Sequence, residues 1–455
     1  MIVFVSDIHF TDGTSGETIH AGAFAAFRER LRDMAYDASW RSNCKYKPID
    51  ELHVVLLGDI LDVIRSTKWL AGSVRPWSSS SDPRFASQIS EITQAVLEQN
   101  HESIVILKSL SQGQTITIPP ATAEGKPALV SRDPKAKERV PVGVRLHYLV
   151  GNHDWFFHLP GPAFDVIRKM IVTAVGLDNP AEAPFPHDPF ESEELKHAYR
   201  EHGVFARHGD IFDPFNYDQD RDISSLGDAI VVELLNKFPE EVQKRFGDEL
   251  PRDCALGLRE IDNVRPLMIV PVWINGLLRR TCADAMAKKI KSVWDGLVDQ
   301  FLALSFVQQH HSVTQLFDDV SKLEWALKFS KGVSLANLSN IVAWCKERLG
   351  IREGAFYPHA FNEPEFKNRN ARYIVYGHTH HHEIVPLDTV ETETGFLEQI
   401  YINSGTWRAV HELSQLHPAQ QEFVGYHVMT YLAFFKGDER KGRSFESWSG
   451  SLSKS

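Results

Sequence analysis

Six short runs of aliphatic and β-branched residues, at 2–5, 54–57, 146–150, 204–206, 373–376 and 399–402, each stop abruptly at a polar cluster. Runs this short and this apolar read as strands buried on both faces, because a strand with one wet face would alternate. Between the first two runs Phe24, Phe27, Leu31 and Met34 fall at helical spacing, and between the second and third Ile89, Ile92, Val96 and Leu97 do much the same. Alternating strand and helix predict an α/β core.

At 455 residues the chain is longer than one core usually fills, and its pattern changes midway. From 224 to 350 helical stripes take over: Leu226, Ile230, Leu234, Phe238; Ile290, Val293, Trp294, Leu297, Phe301; Leu316, Val320, Leu323, Leu327; and Leu335, Leu338, Ile341, Val342, Cys345, with Gly350 suited to the C-terminal cap. The expected organisation is a principal domain over 1–223 and 351–435, a helical insertion (cap) over 224–350, and a Ser/Gly-rich mobile tail over 436–455. Segment 111–142 lacks helical periodicity and reads as a surface excursion, such as a hairpin.

Charge and cysteine usage narrow the partners. A net charge of −11 disfavours non-specific binding of a polyanion, although local cations in one cleft still allow a nucleic-acid substrate. Arg132, Lys135, Lys137 and Arg139 form a modest basic cluster that reads as a solvated face. Cys44, Cys254, Cys282 and Cys345 lie far apart and read as reduced, mostly buried thiols. The N-terminal stretch has no basic leader and turns polar at Ser6-Asp7, so a cytoplasmic location is expected. The apolar run 266–278 contains Asn275 and Gly276 and is too short to span a bilayer. It reads as a core segment, with shallow peripheral membrane contact beside Arg279 and Arg280 as the alternative. No obligate protein partner is inferred.

The polar clusters after the strands carry the chemistry. They read Ser6-Asp7-Ile8-His9, Gly58-Asp59-Ile60-Leu61-Asp62, Gly151-Asn152-His153-Asp154, His208-Gly209-Asp210 and Gly377-His378-Thr379-His380. Open α/β sheets bind ligands at that edge. Asp and Asn oxygens mixed with His nitrogens suit Mn, Fe, Zn, Ni or Co better than Ca or Mg. Two such cations about 3.5 to 4 Å apart, sharing a carboxylate, can hold a hydroxide in line with phosphorus. A single Asp-x-His pair is expected by chance in a chain with 21 histidines, but all five clusters together are not.

In this order the five clusters resemble the signatures of the calcineurin-like metallophosphoesterase family, D-x-H, G-D-x-x-D, G-N-H-D or G-N-H-E, H and G-H-x-H. The resemblance spans the strand ends from Ser6 to His380 and leaves the helical insertion without a counterpart. It implies a four-layered α/β/β/α sandwich and two divalent metal ions, manganese foremost. One ion would take Asp7, His9 and His380, the other Asn152, His208 and His378, and Asp59 would bridge them. It makes His153 the residue that contacts the phosphate and protonates the leaving oxygen, with Asp62 orienting it.

The implied activity is hydrolysis of a phosphodiester or pyrophosphate bond by a metal-bridging hydroxide. A helical cap beside the metals favours a phosphoester substrate with a sizeable organic group. The UDP-2,3-diacylglucosamine pyrophosphatase branch is partly similar in inserting helices after its His-Gly-Asp region, but it usually has Arg where this chain has His153. A lipid-linked pyrophosphatase and a metal-dependent nuclease are therefore alternatives, and a non-catalytic scaffold is disfavoured because every ligand position is filled. Of the remaining candidates, His310, His311, His381 and His382 read as surface or supporting residues. Trp155, Phe156 and Phe157 read as either a stacking wall or buried packing, and Arg221 as a surface ion pair before a phosphate ligand.

Overall fold

The computed structural model describes residues 1–128, 138–265, 269–313, 356–393, 395–414, 416 and 422–452. Its strands are β1 (Ile2–Val5), β2 (Glu51–Leu57), β3 (Thr117–Ile118), β4 (Val140–Pro141), β5 (Gly143–Leu149), β6 (Val204–Arg207), β7 (Tyr373–Tyr376), β8 (His382–Thr392), β9 (Gly395–Ser404), β10 (Ala409–Leu413), β11 (Phe423–Phe434) and β12 (Phe445–Leu452). All six predicted strands are present. The parallel neighbours β1, β2 and β5 form the heart of one sheet, with Val3 opposite Val54 and Val54 opposite Leu146. The parallel neighbours β6, β7 and β9 form the heart of a second, which β8 extends antiparallel to β9. The molecule is thus mixed α/β, and the excursion after 111 carries the short β3–β4 ladder.

Alternation along the strands divides the core. Val3, Val5, Val54, Leu56, Leu146 and Tyr148 pack with apolar residues of helices α1 (Ala21–Ala38), α2 (Pro83–Gln99), α3 (His101–Ser111) and α4 (Pro162–Val175). Their alternates Ile2, Phe4, Val55, Leu57 and Leu149 share a second cluster with Val204, Ala206, Tyr373, Val375 and Ile402 of the other sheet and with α5 (Glu193–His202). Phe205, Ile374, Tyr376 and Tyr401 turn to a third, with Phe356, Ala360 and Phe366. The helix boundaries follow local chemistry. In α2 Asp82 caps the N-terminus beside Pro83, in α5 Ser192 accepts from Leu195 N, and Gly203 closes α5 at φ +63°.

The insertion begins as a continuous run, α6 (Leu226–Ile230), a π-helical stretch (Val231–Asn236) and α7 (Lys237–Phe246), followed by α8 (Arg252–Leu258), α9 (Val270–Thr281), α10 (Asp284–Leu302) and α11 (Ser305–Val313). Its buried residues, from Leu226 to Phe301, join the cluster that covers the first sheet, so these helices and that sheet share one core. The predicted stripes from Leu316 to Cys345, with Gly350, lie outside the described residues. In α9 the residues Val272, Trp273, Ile274, Leu277 and Leu278 are buried, as a core segment requires. No helix among the described residues is long and apolar enough to cross a membrane.

A buried ion network joins the insertion to both sheets. Asp262 Oδ2 lies 3.0 Å from Arg65 Nε, after β2, and 3.0 Å from Arg408 Nη1, after β9. All three side chains are almost fully buried. Asp262→Ala leaves two buried guanidinium groups without their carboxylate and is expected to cost about 3 kcal/mol. Urea unfolding checks this, and an unchanged midpoint would contradict it.

Two expectations are corrected. Segment 436–455, expected as a mobile tail, carries β12, which pairs with β11 from Phe445–Phe434 to Leu452–His427. Its Ser and Gly content misleads because the strand is held by its ladder to β11 and by one aromatic side chain on each face: Phe445 packs on Phe434 and Tyr373, and Trp448 stacks on Tyr431. Of the cysteines expected to be mostly buried, Cys254 is buried, Cys282 half-buried and Cys44 exposed, while Cys345 lies outside the described residues.

Candidate metal centre

Because β1, β2 and β5 run parallel, as do β6, β7 and β9, their C-terminal loops meet at one edge. Backbone hydrogen bonds lace these loops: Asp7 N to Gly58 O (3.1 Å), His9 N to Asp59 O (2.9 Å), Val63 N to His153 O (3.3 Å) and Gly377 N to His208 O (2.8 Å). Asp7, His9, Asp59, His378 and His380 all adopt left-handed backbone, with φ between +51° and +69°. Each such residue costs about 1 kcal/mol or more, a strain that collects at functional sites. The motif glycines leave room for the ligands. A Cβ on Gly377 would stand 2.8 Å from Asp7 Oδ2, and one on Gly151 would press on the His208 ring and the Asp59 carboxylate.

Two groups of donors converge here. In the first, His380 Nε2 is 3.3 Å from Asp7 Oδ1 and 3.1 Å from His9 Nε2. Asp7 Oδ1 is buried and receives no hydrogen bond. His9 Nδ1 is 2.8 Å from Asp62 Oδ2; a carboxylate only accepts, so Nδ1 carries the proton and Nε2 the lone pair. A donorless carboxylate oxygen facing two imidazole nitrogens fits a cation.

In the second group His208 Nε2 lies 3.2 Å from Asp59 Oδ2 and 3.2 Å from Asn152 Oδ1, while its Nδ1 donates to Leu57 O at 3.0 Å. The donor atoms of Asp59, His208 and His378 lie within 4.8 Å of one another. Asp59 Oδ2 also stands 3.7 Å from His9 Nε2, so a single oxygen faces both groups. Asp59 Oδ1 accepts from His153 N at 2.8 Å. His153 Nδ1 lies 2.8 Å from Asp62 Oδ1, so Asp62 holds His9 with one oxygen and His153 with the other.

The electrostatics are those of buried carboxylates balanced by imidazoles. Burial pushes Asp7 up, but the His380 ring beside it and the charge of His208 bring it down to about 2. Burial likewise opposes ionisation of Asp59, yet His208 and His153 hold it well below the usual range. Burial disfavours the charged forms of His208 and His153, and the neighbouring carboxylates outweigh it and raise both to about 10. Burial together with Arg265 drives His380 down to about 3. At neutral pH protons on His208 and His153 therefore supply positive charge in the cation-free site. His208 must give up its proton to ligate, so metal uptake is expected to release protons. Affinity should therefore fall about tenfold for each unit by which the pH is lowered, per proton displaced. Mn²⁺ titrations between pH 6 and 8 check the sign, and pH-independent binding would contradict it.

The candidate residues Asp7, His9, Asp59, Asp62, Asn152, His153, His208, His378 and His380 all meet at this edge. Others do not belong to it. Trp155, Phe156 and Phe157 are buried in the core, and Arg221 pairs with Asp210 at 2.7 Å. His381 is half-buried, 3.7 Å from Glu412, while His382 Nδ1 donates to Asn403 O. Arg139 bonds Thr117, whereas Arg132, Lys135 and Lys137 lie outside the described residues, as do the side chains of His310 and His311.

Three supporting residues escaped the sequence reading. Asp213 Oδ2 accepts from His378 Nε2 at 2.9 Å, and Arg265, beyond α8, donates from Nη2 to His380 Nδ1 at 3.2 Å, which leaves the ring's proton on Nε2 for a cation to displace. Neither stands at a spacing that marks it. Asp154 accepts from Tyr148 OH, Ile60 N and Gly151 N, latching the loop after β5 to that after β2. It was visible within Gly-Asn-His-Asp, but its partners were not. No family model matches the chain, and no curated protein matches it.

Proposed function

We propose that this protein hydrolyses phosphodiester or pyrophosphate bonds with two divalent metal ions, manganese foremost, as a calcineurin-like metallophosphoesterase. On this reading the two sheets are the inner layers of a four-layered α/β/β/α sandwich, an arrangement consistent with its three core clusters. The observation that carries the proposal is Asp59 Oδ2, 3.7 Å from His9 Nε2 in one donor group and 3.2 Å from His208 Nε2 in the other. One ion would sit with Asp7, His9 and His380, the other with Asn152, His208 and His378. Bound there, such ions lower the pKa of water and neutralise phosphate oxygens.

The protein's own residues supply the rest. With Nδ1 held by Asp62, His153 has Nε2 left to donate a proton to the departing oxygen, and its side chain is 14% exposed, within reach of a substrate. Asp62 is fully buried, holds the positive charge of that imidazole and fixes the ring of His9 as well. Arg265 brings a guanidinium from the insertion to His380, beside the site, where a phosphate would find a cation. Helices standing this close favour a substrate with a sizeable organic group.

The test is turnover by the purified protein with Mn²⁺ of bis-p-nitrophenyl phosphate and p-nitrophenyl phosphate, followed by nucleotide, lipid and nucleic-acid panels. Turnover of the diester that chelation abolishes is expected. Turnover of the monoester alone would contradict the preference for diesters and pyrophosphates.

A further inference from the structure

We infer that His158, His187 and Asp222 form a separate metal site that takes one divalent cation of the zinc type, independent of the reading above. The three come from different stretches of chain. His158 ends the 3-10 turn Trp155–His158 behind the Asn152-His153 loop, His187 precedes the turn Pro189–Glu191, and Asp222 lies shortly before α6. Their donor atoms all fall within 4.8 Å of one another, and the two imidazole centroids are 4.0 Å apart.

The hydrogen bonds decide which atoms face inward. His158 Nδ1 is 2.8 Å from Phe185 O, and because a carbonyl only accepts, Nδ1 carries the proton. In the neutral ring Nε2 therefore presents a lone pair, 3.8 Å from Asp222 Oδ2. That is too long for a hydrogen bond and close to the spacing of two ligands on one cation with bonds of about 2.0 to 2.2 Å. His187 Nε2 donates to the other oxygen, Asp222 Oδ1, at 3.0 Å, and a cation would take the place of that proton.

His187 Nδ1 is buried and takes part in no hydrogen bond, so it can carry the ring's proton when a cation replaces it on Nε2. Arg221 is committed to Asp210, and Glu191 lies on the far side of His158, 3.6 Å from Nδ1. Two imidazoles and a carboxylate leave a fourth position for water, and Asp222 is 39% exposed toward solvent. The Phe185 carbonyl orients His158 as supporting acceptors orient ligand histidines elsewhere. A cation here would tie the loop bearing Asn152 and His153 to the root of the insertion.

The full chain, stripped with a chelator and dialysed against Zn²⁺, is counted by elemental analysis beside Asp222→Ala and His158→Ala. Circular dichroism selects the variants that fold, and Asp222, being partly exposed, is the safer of the two. Wild type is expected to hold one cation more per chain than either variant, and zinc to raise its thermal midpoint further. The readout is a difference, so it separates the two sites. Counts of three against two support both this site and the dinuclear centre, whereas one against none supports this site and removes the other. Equal counts in wild type and a folded variant would overturn the inference and leave His187 and Asp222 as a hydrogen-bonded pair.

Discussion

Asp59→Asn is expected to reduce bound manganese from two ions per chain to one or none and to lower phosphodiester turnover by about 10³-fold or more. Asp59 is almost fully buried, and its Oδ2 is the atom shared by the two donor groups. An amide keeps an acceptor for His153 N but removes the negative charge that two adjacent cations would share. The variant should otherwise retain its structure, since the backbone bonds between the loops after β1 and β2 do not involve this side chain. Elemental analysis after dialysis is the decisive measurement. Two ions retained at wild-type affinity would remove Asp59 from the bridging position.

His153→Ala should behave in the opposite way, keeping both ions while turnover falls by about 10² to 10⁴ fold. The His153 side chain bonds Asp62, and it is the residue's backbone N–H that bonds Asp59, so truncation leaves the proposed ligands in place. The loss should shrink for substrates whose leaving group is a good anion, because less proton donation is needed there. Asp62→Asn is expected to impair both functions, since Asp62 holds His9 at 2.8 Å as well as His153 at 2.8 Å. A His153→Ala protein that lost its metals would make His153 a structural residue.

Much of the fold was legible because it is local. The six buried runs became strands, and the stripes at Phe24 and Ile89 became α1 and α2, since each carries its period within one element. The strands that went unread, β8, β10, β11 and β12, owe their existence to partners. Most of β8 alternates between exposed and half-buried positions and is held against β9, while β11 gains β1 on one edge and β12 on the other. Nothing within the Ser- and Gly-rich stretch before Leu452 announces that a neighbour awaits it.

The donor set was likewise written in the chain, because carboxylate, amide and imidazole at strand ends follow directly from residue type and from the point where each apolar run stops. Tertiary structure alone decided how those donors are used. His9 and His380, 371 positions apart, bring their Nε2 atoms to 3.1 Å, and Asp62 divides its two oxygens between His9 and His153. Arg265 and Asp213 reach the site from segments with no motif of their own. The reason is physical: which lone pair is spent on a neighbour and which remains free depends on distances of a few ångströms across the fold, and spacing along a chain does not encode them.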